Sequence, residues 1–282
     1  MTALTPQDFD LLSNLLKTRS GLVLGTEKTY LLESRLTPIA RRRGLAGLPE
    51  LVAQLRMRPS EELLVEITEA MTTNESFFFR DTVPFEVLKT HVLPQLKVAR
   101  AATRRLRIWC AAASTGQEPY SIAMILNEQA AQWAGWNIEI IGTDLCKAAL
   151  SKAQAGLYSQ FEVQRGLPIQ LLMKYFAKVG DQWQVSADIR NMVKYRTFNL
   201  LESMAGLGQF DIIFCRNVLI YFDAPTKAQV LDNLRRQMPA DGSLFLGAAE
   251  TVLGLTKALK PVREQRGLYI PVDSPMALAA AG

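Results

Sequence analysis

From about residue 105 onward, short apolar runs alternate with helical patterns. That alternation restricts this part of the chain to a doubly wound, mostly parallel sheet flanked by helices. Leu106 to Cys110, Ile138 to Ile141, Val193 to Phe198, Phe210 to Cys215, Ser243 to Gly247 and Arg266 to Ile270 read as strands. Tyr120 to Trp133, Lys147 to Ala155 and a segment opening at Asp223-Ala224-Pro225 and running to Met238 read as helices. Sheets of this kind bind ligands outside the carboxyl ends of their strands. One stretch breaks the pattern. Between about 160 and 192, the runs Leu171 to Phe176 and Lys178 to Val185 flank Gly180-Asp181, which predicts a small antiparallel β insertion.

Residues 1–75 carry no strand signal. Thr5 precedes Pro6 and Asp8, a helix start, and Phe9, Leu12, Leu15 and Leu16 follow at helical spacing. Further helices are expected from Thr26 to near Gly44, from Leu48 to Met57 and from Glu61 to Met71, with Ser60 as an N-cap. At about 100–200 residues per domain, 282 residues suit two domains. The expected division is a helical domain over 1–75 and an α/β domain over 76–282, with a frayed tail after Pro271.

Composition removes several function classes. Apolar residues make up 49%, too many for a disordered chain. Lys plus Arg exceed Asp plus Glu by 32 − 27 = 5, a bias that permits an acidic partner without demanding nucleic acid. Cys110, Cys146 and Cys215 stand singly, against a disulfide framework or zinc cluster. With no signal-peptide pattern at the start and no long apolar span, a cytosolic protein without membrane insertion is expected. The single histidine, His91, leaves no basis for a His-ligated metal or a His-containing triad, and no metal is expected.

Three places carry chemistry. The loop Ala111 to Pro119 follows the first strand and is almost free of bulk, so backbone can approach a ligand at a helix N-terminus. It has one glycine and no Lys-Ser/Thr pair, unlike dinucleotide and phosphate loops. Two readings stand: close helix–strand packing, or a ligand site whose Glu118 repels a pyrophosphate and attracts a cation. Asp144, ending the second strand, is either a helix N-cap or an acceptor for ribose hydroxyls. With no Lys or Arg in either loop, Glu118 and Asp144 together favour a neutral or cationic adenosyl ligand. Thr72 to Asp81 places Phe77, Phe78 and Phe79 among polar groups, which suits a junction that buries its aromatics and presents Asn74, Ser76 and Arg80. Past the fourth strand, Arg216-Asn217 is costly to bury unless satisfied and marks a further site position, with Asn199 at the same sheet edge.

Asn74-Glu-Ser-Phe-Phe-Phe-Arg80, Trp109-Cys-Ala-Ala-Ala-Ser-Thr-Gly-Gln-Glu-Pro-Tyr-Ser121, Gly142-Thr-Asp-Leu145 and Cys215-Arg-Asn-Val-Leu-Ile-Tyr-Phe-Asp223 together resemble the chemotaxis receptor methyltransferases, the CheR family. The resemblance spans nearly the whole chain. It implies a class I methyltransferase-like sheet and transfer of a methyl group from S-adenosylmethionine to glutamate side chains on cytoplasmic helices of transmembrane chemoreceptors. The implied product is S-adenosylhomocysteine. Carried over residue by residue, Asn74, Ser76, Arg80, Glu118, Asp144, Asn199, Leu200, Arg216 and Asn217 would contact the cofactor. Arg80 and Tyr221 would act at the transfer point. The family often has Thr where this chain has Ser76, and both keep a hydroxyl. A glutamate is already ionised at neutral pH, so this reaction asks for no general base and one histidine is no obstacle.

From Arg35 to Arg58 six arginines face one acid, Glu50. Arg41, Arg42 and Arg43 close a helix, where cations complement the macrodipole. The resemblance adds that Arg35, Arg41, Arg42 and Arg43 would steer acidic receptor helices. The insertion resembles a small β-subdomain that holds a receptor C-terminal peptide in some members; the tight turn at Gly180 favours a variant without that tether. A nucleic-acid methyltransferase would want an Asn/Asp-Pro-Pro-Tyr/Phe motif, which is lacking. A non-catalytic adenosyl-binding regulator is the remaining rival, and a monomer is expected.

Overall fold

The structure is a computed structural model that describes residues 4–275. The chain divides into two compact units. One comprises the chain up to Thr73 together with Tyr221–Thr226; the other comprises Asn74–Ile220 and the chain from Lys227 on.

The helical unit holds α1 (Pro6–Ser20), α2 (Thr29–Arg42), α3 (Leu48–Met57) and α4 (Glu61–Met71). Thr5 and Asp8 form a capping box that satisfies the first donors of α1, and Gly21 closes the helix in the left-handed conformation that glycine adopts without strain. Leu12, Leu16, Leu32, Leu36, Leu51, Val52, Leu63 and Ile67 interlock as its buried core. Each such side chain contributes about 1.5–3 kcal/mol by leaving water. Residues 221–226 are fastened to this unit: the Val23 amide donates to the Tyr221 carbonyl at 2.9 Å, and Lys17 pairs with Asp223 at 2.7 Å.

The sheet unit opens with α5 (Val83–Val87), a π-helical turn Leu88–Val92 and α6 (Leu93–Ala99). Then come β1 (Arg105–Cys110), α7 (Gln117–Glu128), β2 (Asn137–Asp144) and α8 (Lys147–Ala155). The insertion contributes β3 (Leu157–Ser159), α9 (Gln160–Gln164), α10 (Ile169–Tyr175), β4 (Phe176–Val179), β5 (Gln182–Val185) and α11 (Ala187–Asn191). The sheet resumes with β6 (Val193–Thr197), β7 (Ile212–Cys215), α12 (Ala224–Arg236, its first three residues in the helical unit), β8 (Ser243–Leu246), β9 (Leu259–Pro261) and β10 (Leu268–Pro271).

The strands form a seven-stranded sheet in the order β6-β2-β1-β7-β8-β10-β9. Pairing is parallel from β6 to β8 and antiparallel at β10 and β9. Chain order runs one way from β1 through β2 to β6 and the other way through β7 and β8. The topological switch therefore lies between β1 and β7, where Cys110 stands opposite Phe214. At the other end of the strands, Arg100 grips Asp241 through both guanidinium nitrogens at 2.7 Å and Asp211 at 2.8 Å. The Arg107 amide also donates to Asp211 at 2.8 Å.

The expected α/β architecture with a helical N-terminal part and an antiparallel insertion is what the chain adopts. Several details differ, and β9, α9 and α11 are elements the sequence did not announce. Residues 171–175 are helical rather than the first arm of a hairpin: Pro168 caps α10, and its buried residues Leu172 and Tyr175 are three apart, a helical spacing. The insertion sheet has a third strand, β3, and runs β3-β5-β4. The helical stretch over 83–99 also has no counterpart in the sequence reading; Pro84 and Pro94 sit in first turns, where a missing N–H costs nothing. Of the tail expected to fray, residues 276–282 lie outside the described residues.

Candidate cofactor site

The exit of β1 is shaped by small residues under load. Ser114 has φ +51 and Gly116 φ +95, so the loop doubles back before α7. A Cβ on Gly116 would lie 2.8 Å from both the Ala153 Cβ and the Tyr195 hydroxyl, so only glycine fits. The close packing is present: Ala113, Ser114 and Gly116 are buried, and the loop leads into buried Glu118 at the start of α7.

Asp144 ends β2 and is buried. Its Oδ2 accepts the Ser114 amide at 2.8 Å and its Oδ1 the Cys146 amide at 2.9 Å. It ties the β1 loop to the β2 exit. The Ser114 hydroxyl donates to the Asn74 carbonyl at 2.8 Å, attaching the Asn74–Arg80 segment to the same loop.

Arg216, just past β7, is the hub. Its Nη1 donates to Glu118 Oε2 at 2.9 Å, and its Nη2 reaches Asp81 Oδ2 at 2.7 Å and the Arg80 carbonyl at 2.9 Å. Its Nε is buried with no protein partner. Burial pushes the Glu118 carboxyl above the ordinary range, and the Arg216 guanidinium opposes that shift. The Cys110 thiol hydrogen-bonds Glu118, and burial raises both Cys110 and Cys215, leaving inert thiols.

The expected aromatic junction resolves into separate tasks. Phe78 enters the core of the sheet unit, edge-on to Tyr158 at 5.0 Å and Phe176 at 5.5 Å. Phe77 stays half-buried with the Arg80 guanidinium 5.3 Å and the Arg165 guanidinium 4.2 Å from its ring centre. Arg80 also donates to the Glu75 carbonyl at 3.0 Å. Phe79, Asp81 and Thr82 all have positive φ, a run of left-handed residues around Arg80.

The sequence-derived positions fall into groups. Arg216 bonds the Glu118 side chain and the Arg80 backbone carbonyl, the Arg80 guanidinium turns to the Glu75 carbonyl, and Asp144 joins Asn74 through Ser114. Ser76 is half-buried on the same segment. Asn199 accepts the Leu201 amide at 3.1 Å past β6, beside buried Leu200. Asn217, at φ +58, gives its amide to Glu250. Tyr221 lies in the helical unit. On α2, the Arg35 guanidinium caps α4 through the Met71 carbonyl at 2.8 Å and the Thr72 carbonyl at 2.9 Å. Arg42 pairs with Glu66, Arg43 with Glu62 and Glu66, while Arg41 is exposed.

Asp81 and Glu250 were not among the sequence candidates. The signal for Glu250 was present: an acid three residues past Gly247, at the end of an apolar strand, follows the logic that singled out Arg216.

The donor set suits an adenosyl sulfonium amino acid. Glu118 and Asp144 are acceptors at the carboxyl ends of adjacent strands, the Arg216 Nε is an unmet donor, and no lysine stands in either loop. Residues 7–72 match the CheR methyltransferase all-alpha domain, and residues 74–268 match the CheR methyltransferase SAM-binding domain. The chain is 41% identical over 265 residues to the chemotaxis protein methyltransferase Cher2 of Pseudomonas putida, covering 93% of this chain and 96% of that protein. It is 42% identical over 265 residues to chemotaxis protein methyltransferase 1 of Pseudomonas aeruginosa, with the same coverage. It is 39% identical over 273 residues to the chemotaxis protein methyltransferase of Vibrio parahaemolyticus, covering 95% and 98%. With both of its family domains matched in order along the chain, it belongs to the CheR methyltransferase family and is an S-adenosylmethionine-dependent methyltransferase of chemotaxis.

Proposed function

We propose that this enzyme forms methyl esters on glutamate side chains of chemoreceptor cytoplasmic helices, working in the cytoplasm. The observation that carries the reading is the Arg216–Glu118 pair at the switch between β1 and β7, with Asp144 at the next strand end. These acidic acceptors fit the ammonium group and ribose hydroxyls of an adenosyl amino acid, and the half-exposed Arg80 fits its carboxylate. Asn74, Ser76, Asn199, Leu200 and Asn217 complete the proposed contacts. Bound S-adenosylmethionine supplies an activated methyl group.

The substrate glutamate is ionised at neutral pH, so the chain has no proton to remove. Its tasks are alignment and exclusion of water. We assign to Arg80 the orientation of the incoming carboxylate. Arg41, exposed on α2, is the foremost docking cation for an acidic helix; Arg42 and Arg43 join it while neutralised in part by Glu62 and Glu66, and Arg35 shapes the end of α4. Incubation with methyl-labelled cofactor and receptor-containing membranes tests the reading. Base-labile label on a membrane protein supports it; base-stable label, or label on nucleic acid, overturns it.

A further inference from the structure

Glu250 lies in the loop after β8 and is 9% exposed. Four backbone amides point at its carboxylate. Oε2 accepts Gly247 at 2.6 Å and Asn217 at 2.9 Å; Oε1 accepts Val218 at 2.9 Å and Ile220 at 3.3 Å. Its own carbonyl accepts the Tyr269 hydroxyl at 3.3 Å, which fixes the loop to β10. Its side chain joins the exits of β7 and β8.

We infer that Glu250 is a positioning residue for the cofactor site: its carboxylate holds the turn Asn217–Ile220 and thereby sets the direction in which Arg216 and Asn217 present their side chains. The inference rests on the reading of Arg216 and Asn217 as cofactor contacts. Three observations support it. Asn217 stands at φ +58, a left-handed conformation that asparagine tolerates better than most residues, and the bond from its amide to Glu250 holds the turn there. Gly247 admits no side chain, because a Cβ there would lie 2.7 Å from Glu250 Oε2 and 2.9 Å from the Asn217 nitrogen. The bonding pattern also demands an anion. Each oxygen takes two N–H donors, so an amide in its place would turn an NH2 group against two of them and leave both unpaired. The turn is thus built around a carboxylate that no ligand needs to touch.

The test is calorimetric titration of S-adenosylhomocysteine into the full-length wild type, Glu250→Gln and Gly247→Ala, with thermal melting of each and steady-state kinetics. The expected result is an affinity for the product at least tenfold weaker in Glu250→Gln, measured well below its melting temperature. KM for the cofactor rises in step, while KM for the receptor substrate holds. Gly247→Ala, which drives a methyl group against the carboxylate, shows the same split, and the double variant is no worse than Glu250→Gln alone, because both act on one contact. If Glu250→Gln is too unstable to titrate, Gly247→Ala decides. Wild-type affinity in a folded variant overturns the inference and leaves the cofactor reading standing. No binding by the wild type overturns that reading and this inference with it.

Discussion

The Arg216 guanidinium meets the Glu118 carboxylate at 2.9 Å with side chains only 1% and 10% exposed, and it reaches Asp81 with its other nitrogen. A buried pair of this kind says little about net stability, but each partner depends on the other. Glu118→Ala leaves the guanidinium with its remaining anion half in solvent. The expected loss is about 3–5 kcal/mol in denaturant unfolding. Glu118→Gln keeps an acceptor and loses less stability, while its affinity for S-adenosylhomocysteine falls with that of the alanine variant. Calorimetry and urea titration on the two variants separate these effects.

Asp144 is expected to matter for affinity more than for folding. Asn at 144 retains one acceptor but presents an NH2 group to either Ser114 or Cys146, and it loses the charge that strengthens a bond to a hydroxyl. Hydrogen bonds to charged groups contribute about 1.5–3 kcal/mol. Asp144→Asn should therefore weaken product binding by roughly ten- to hundred-fold at 1.4 kcal/mol per decade, read by titration calorimetry.

On α2, charge reversal distinguishes docking from packing. Arg41→Glu, at an exposed position, should raise KM for receptor several-fold and weaken its dependence on salt, with cofactor affinity unchanged. Arg43→Glu also turns a like charge on Glu62 and Glu66, so it should lower the melting temperature as well. Receptor methylation assayed over a salt series, together with thermal melts, checks both outcomes.

The Arg165 guanidinium touches the Phe77 ring from the insertion and pairs with Glu75 at 2.8 Å, on the segment that carries Arg80. A partly exposed cation–π contact contributes about 0.5–1 kcal/mol. Arg165→Ala should loosen cofactor binding about two- to five-fold at that energy and lower the unfolding free energy by no more than about 1 kcal/mol, as followed by calorimetry and urea titration.

Acid should act through the far end of the sheet. The hydrogen bonds from Arg100 hold the Asp241 carboxyl below its ordinary value. A carboxyl lowered in the folded state adds stability that is complete above its unfolded pKa, near 3.9, and that is lost as pH falls through the folded value. Asp241→Asn should be less stable than wild type at neutral pH, with a shallower loss below about pH 4. Unfolding free energies measured from pH 3 to 7 show the two curves converging in acid.

Much of the site could be read along the chain because apolar strands end abruptly in polar or small residues. Cys110 into Ala111–Glu118, Ile141 into Asp144 and Cys215 into Arg216-Asn217 all show that change, and each marks a strand exit at one rim of the sheet. What escaped was tertiary. Arg35 looks like part of a basic run, yet its guanidinium closes a helix thirty-six residues away. Leu171 to Tyr175 is a short apolar run that imitates a strand, and only burial of Leu172 and Tyr175 shows the helical period. Glu250 shows along the chain only as an acid past an apolar strand; the amides it serves at Asn217, Val218 and Ile220 are brought to it by folding.

The loop Tyr221–Thr226 leaves the sheet unit between β7 and α12, bonds to Lys17 and Val23, and returns. Neither half of this enzyme is therefore a contiguous stretch of chain. Cutting at Thr73 to obtain the helices alone would strip them of a piece encoded some 150 residues downstream. A chimera that exchanges N-terminal halves between relatives would pair one parent's helices with the other's strap, so recombination has to carry both segments together.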